Sequence, residues 1–195
     1  MKIYTPNTRP KREIKIIPNF RRGFTFIETF VAITILLLLI GAPLSIAERG
    51  IITAVYSQDQ VTAYYLSQEA VEFIRNLRDK NILDGKSWLS GLEGKCLASE
   101  CGIDVTASDQ GNEKQIFKCS ESGKSCNLAF NPETGIYGHR SVNNQDWYAS
   151  SFKRKVVVNE LSIGKEAQII VTMAWKTGTL EEKTFTITEN IFSWK

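Results

Sequence analysis

Three hydrophobic spacings follow one another along this chain. Residues 29–47 are apolar on every side and carry no charged side chain. A run of that length matches the ~20 residues a helix needs to cross a bilayer. Next, Ile52, Val55, Asp59, Thr62, Leu66, Ala70, Phe73 and Leu77 recur at intervals of three and four. Ser57, Gln58, Gln60, Gln68, Glu72, Arg75 and Arg78 occupy the other faces, so this stretch reads as an amphipathic helix that needs a surface to lie on. Asp59 is the weak point of the stripe. One helix is therefore predicted over residues 24–79, with a bend near 39–43, where Pro43 removes a backbone donor and Gly41 lowers helicity.

Asp84-Gly85 and the glycines at 91 and 94 end the helix and open a loop-rich middle. Trp88 and Leu89 are candidates to anchor that loop. Short strands are predicted at 103–106, 115–119 and 127–130, and an exposed loop at 135–147, whose Tyr137 and Trp147 either cap the core or form a recognition surface. The last third alternates with a period of two. Strands are predicted at 152–161, 167–175 and 184–192, with Ile169, Val171, Met173 and Trp175 on one face and Phe185, Ile187 and Ile191 pointing inward. An antiparallel meander laid across the amphipathic half of the helix gives an α+β fold.

Charge changes the picture. Seven basic residues against Glu13 give residues 1–23 a charge of +6, while the whole chain has +3, so residues 24–195 carry −3. The basic balance belongs to the N-terminal leader and makes no case for nucleic-acid binding. Basic residues before an apolar span instead hold that end in the cytoplasm and send the rest outward. Four cysteines, Cys96, Cys101, Cys119 and Cys126, lie in the outward part. An even number in an exported domain reads as disulfides. Three connectivities are open, and Cys96–Cys101 with Cys119–Cys126 is favoured because each pair brackets a turn-rich stretch. The spacings differ from those of zinc ribbons, and His139 is the only histidine.

The run Arg21-Arg22-Gly23-Phe24-Thr25-Phe26-Ile27-Glu28 stands directly before the apolar stretch. A carboxylate within a membrane helix costs about 2.5–3.5 kcal/mol on insertion scales, so it calls for a partner or a task. Over residues 19–80 the chain resembles the type IV pilins and the pseudopilins of type II secretion and DNA-uptake systems. The resemblance implies a leader at 1–23 removed by a prepilin peptidase between Gly23 and Phe24, N-methylation of Phe24, a transmembrane helix at 24–47, its amphipathic extension at 48–80 and an extracytoplasmic pilin-like domain at 81–195. It implies that Glu28 pairs with the α-amine of a neighbouring subunit's Phe24 and that Pro43 marks where the helix bends or melts in the filament. The implied partners are prepilin peptidase, other pilin or pseudopilin subunits, membrane lipid and the filament assembly platform. The implied place is the cytoplasmic membrane, single-pass with the N-terminus inside, and then an extracytoplasmic filament, in a minor rather than bulk role.

Other readings of the same residues stand beside this one. A secretory signal peptide is also basic and then apolar, but its apolar region is shorter and ends in small residues. A plain signal anchor explains leader and span but not Glu28. A membrane-anchored binding module that never polymerises explains the exported domain equally well. No catalytic constellation, phosphate-binding loop or cofactor motif emerges, and the chain reads as a substrate of the peptidase rather than as an enzyme.

Overall fold

A computed structural model of the protein describes residues 23–110, 115–120, 125–139 and 146–194. They divide into two units, the first ending at Glu48 and the second beginning at Arg49. Helix α1, Phe26–Leu83, runs through both and continues without interruption across Pro43. It starts two residues later than the spacing predicts because Thr25 takes the capping position. It ends later as well, at a glycine in the left-handed conformation, Gly85 (φ 71°). Its last turn is held by buried Asn81, whose amide donates to the Trp88 carbonyl at 3.3 Å and the Ser90 carbonyl at 2.8 Å.

Within the second unit, seven strands form one antiparallel sheet: β1 Cys101–Ile103, β2 Ile116–Lys118, β3 Asn127–Asn131, β4 Ile136–Gly138, β5 Tyr148–Ser162, β6 Glu166–Trp175 and β7 Lys183–Phe192. Strand β5 is its axis. Along one margin β5 pairs with β3 and then β1, which carry β4 and β2 outward; along the other it pairs with β6, and β6 with β7. The β5–β6–β7 meander and its inward residues match the alternation in the sequence. Two predictions do not. The strand expected at 103–106 stops at Ile103, because buried Asp104 accepts bonds from the Thr106 N–H (3.0 Å) and hydroxyl (2.6 Å) and turns the chain into a short 3-10 helix, Val105–Gln110. Within the loop expected at 135–147, residues 136–138 are a strand paired with β3, and residues 140–145 lie outside the described residues.

The helix packs on the sheet through residues 56–81 of its length. The larger core joins Ala70, Ile74 and Leu77 of α1 to Val156, Val158, Ile169 and Val171, with Trp88, Leu89 and Leu92 of the first loop closing it. A smaller core gathers Ala63, Leu66, Leu128, Phe152, Met173 and Trp175. The buried stripe therefore begins later than the sequence spacing suggests: Ile52 and Val55 are exposed, while Ala63, Ser67 and Ile74 are buried.

Candidate functional site

The first unit presents the proposed processing segment. Gly23 and Phe24 are exposed and precede the helix. The Thr25 hydroxyl accepts the Glu28 N–H at 3.3 Å and the Thr25 carbonyl accepts the Thr29 N–H at 3.2 Å, which makes Thr25 the helix cap. Glu28 is thus the third helical residue, in the first turn, where the helix dipole favours a carboxylate. Threonine at the cap with glutamate three residues on has the spacing of a capping box, and the bond from the Glu28 N–H to the Thr25 hydroxyl is one half of it.

Beyond Glu28 the helix is apolar and long enough to span a bilayer, with a mean hydropathy of 2.5 over an 18-residue window and none of that window buried. Its hydroxyl groups fit the same environment. Thr29 donates to the Phe26 carbonyl at 2.8 Å, Thr34 to the Val31 carbonyl at 2.8 Å, and Ser45 to the Gly41 carbonyl at 3.0 Å. No side-chain donor in residues 29–47 is left seeking water, as a hydrocarbon setting requires.

In the second unit the four cysteines form Cys96–Cys101 and Cys119–Cys126, the favoured pairing of the three. Both bonds brace the axis strand. The Cys96 carbonyl accepts the Val158 N–H and the Cys126 carbonyl accepts the Arg154 N–H, each at 2.9 Å.

Several polar contacts fasten helix to sheet, among them the Arg75–Glu189 ion pair and the bond from Arg78 to the Phe192 carbonyl; two others concern the buried stripe, and periodicity flagged only one of those. Asp59, the carboxylate within the amphipathic stripe, accepts a 2.5 Å bond from the hydroxyl of Thr177 in the β6–β7 turn. Arg154 is the second. It occupies an inward position of β5 between Phe152 and Val156 and is fully buried. Its guanidinium donates to the Leu66 carbonyl (2.6 Å), to the Glu69 carboxylate (2.7 Å) and to the Ile103 carbonyl (2.7 Å). The sequence carried a signal for it, since the period of two that buries Phe152, Val156 and Val158 also buries residue 154.

Near this guanidinium lies His139, whose Nδ1 meets the Ser125 carbonyl at 3.2 Å and whose ring stands edge-on to Phe117. Burial, and then the Arg154 charge, lower its pKa from 6.5 to about 4, against smaller opposing effects of Asp104 and the carbonyls of Ser125 and Asn127. It is therefore neutral at physiological pH. Tyr137 packs against Phe130 and Phe152 at ring distances of 4.8 and 5.4 Å, which places it as a cap on the core.

An aromatic groove of about 620 Å³ runs beside the sheet. Tyr56, Gln60, Val61, Tyr64 and Tyr65 of α1 form one wall. Trp175, Lys183, Thr184 and Phe185 form the other. Sequence reading missed this groove because its walls are more than a hundred residues apart in the chain. Comparison with known proteins found no matching family model, no matching curated protein and no matching solved structure.

Proposed function

We propose that this chain is a subunit, in a minor role, of a type IV pilus-like or pseudopilus-like filament. Its precursor is cut between Gly23 and Phe24 by a membrane peptidase, held by residues 24–47 in the cytoplasmic membrane, and drawn into the filament through α1. The observation that carries this reading is the pairing of one carboxylate, Glu28, with an uncharged helix exposed around its whole circumference. Such a surface needs hydrocarbon or other apolar helices around it. A carboxylate carried into that setting is tolerated when a cation meets it, and the α-amine that processing would create at Phe24 is such a cation. The exposed Gly23-Phe24 junction just ahead of the capped helix and the disulfide-braced α+β unit also support the reading. Pro43 supplies a place for the helix to bend or melt on assembly.

The test is Glu28→Gln in cells that hold the peptidase and the assembly platform. Filament incorporation is expected to disappear while the second unit keeps its fold and the mature N-terminus remains Phe24 carrying one methyl group. Normal incorporation of the variant, or a mature protein that begins at Met1, overturns the reading. The groove beside β7 favours a second reading, a tethered binding module. In that case Glu28→Gln leaves the protein's binding activity intact and no filament contains it.

A further inference from the structure

Strand β7 is the outer strand on its side of the sheet. It pairs with β6 over ten residues in an unbroken register, from Trp175↔Lys183 to Glu166↔Phe192, and with no other described strand. Edge strands expose a row of backbone donors and acceptors, and proteins usually blunt them with a proline, a bulge or a cover. β7 contains no proline and its pairing has no bulge, but its second half is tied to α1 by the Arg75–Glu189 ion pair and the bond from Arg78 to the Phe192 carbonyl, so the margin available to a partner is its start, residues 183–187.

The groove lies against the start of this strand. Lys183 and Phe185 share the parity of inward-facing Ile187 and Ile191, whereas Thr184 alternates to the opposite face. A groove lined by all three reaches over the margin of β7. Its far wall is the stretch of α1 from residue 56 to 65, about 13 Å of helix. An open strand margin facing a helix across an aromatic trough is the setting in which an extended peptide joins a sheet: main-chain bonds provide affinity, and alternate side chains enter the trough.

One further feature describes the occupant. Lys183 is the sole charged side chain in the lining, so the complementary chain is acidic there.

We propose that the groove between α1 and β7 binds an extended peptide segment of a partner protein. The segment pairs with the open edge of β7, sets an aromatic or aliphatic side chain among Tyr56, Tyr65 and Phe185, and brings an Asp or Glu to Lys183. This role is independent of polymerisation.

The test uses the full chain in lipid nanodiscs, panned against a displayed library of random heptapeptides, with the enriched peptides synthesised as probes. These are expected to carry an acidic residue beside an aromatic or aliphatic one. N-methylation of alternate peptide amides is expected to weaken binding at least tenfold, because it removes strand donors. Val61→Arg, at an exposed position in the lining, is expected to do the same. Lys183→Glu shifts the selected sequences from acidic to basic, and bound peptide slows hydrogen exchange at residues 183–187. The proposal is overturned by a library that enriches nothing over the Val61→Arg variant, by binding indifferent to N-methylation, or by protection confined to another part of the sheet. Self-association of the protein that Val61→Arg abolishes, without peptide binding, assigns the groove to a second copy and also overturns it.

Discussion

Residues 26–48 and residues 56–81 belong to one helix, yet their side chains require different surroundings. In the later stretch a single stripe is buried, and its polar positions are matched: Asp59 by Thr177, Glu69 by Arg154, Asn81 by the carbonyls of Trp88 and Ser90. In the earlier stretch apolar side chains are exposed on every face, while hydroxyl groups turn back to their own helix in both stretches. Backbone hydrogen bonding is the same in both. What distinguishes them is the least favourable face, polar and hydrated in one and apolar in the other. Helix formation therefore says little about where a helix resides, and the composition of its circumference says a great deal.

The most direct way to break this contrast is to remove the bolt that holds the later stretch. Arg154→Ala removes the guanidinium that ties the Leu66 carbonyl, Glu69 and the Ile103 carbonyl together and opens a buried space, and is expected to cost about 3–5 kcal/mol in chemical denaturation of the full chain in micelles. A loss below about 1 kcal/mol would mean that apolar packing alone secures the helix.

Acid approaches the same junction from the sheet side. The pKa of His139 is lower in the folded protein than in the unfolded chain, so the unfolded chain binds its proton first. Stability from this group is intact above pH 6.5 and falls as the pH drops towards 4, by about 3 kcal/mol across that window. In His139→Gln the part of the pH slope due to this residue should vanish, and an unchanged profile would assign the slope to other groups.

Asp59→Ala acts where the buried stripe begins. Loss of the bond from Thr177 is expected to cost about 1–3 kcal/mol and to speed hydrogen exchange in the 176–180 turn. The smallest effect sharpens the contrast most. Leu38→Ala, in the exposed apolar stretch, should change the unfolding of the second unit by no more than about 0.5 kcal/mol. A larger loss would mean that this part of α1 packs on the unit.

Legibility followed the range of the interactions. The β5–β7 meander was readable because alternation is local and three long strands repeat it. β1, β2 and β4 have three residues each, too few for alternation to separate strand from turn, so their places depend on pairing with distant partners. Asp59 stood out as a charge on an apolar stripe, but Thr177 lies more than a hundred residues away and no local pattern names it. Arg154 was legible in principle, since its parity on β5 buries it, yet a basic residue beside Lys153 and Lys155 looks like a solvated face. The aromatic groove exists only once Tyr56 and Phe185 meet. Gly23, Phe24 and Glu28 form a short linear pattern, so the proposal they support could be read without the fold.

The two disulfides join cysteines five and seven positions apart, both inside the second unit. Rings that small restrict the unfolded chain only modestly, by about 2 kcal/mol each on chain-entropy arguments. Neither bond links the helix to the sheet or one margin of the sheet to the other. A thiol reductant would therefore loosen two corners and leave the strand order standing, so the two bonds finish this architecture rather than found it.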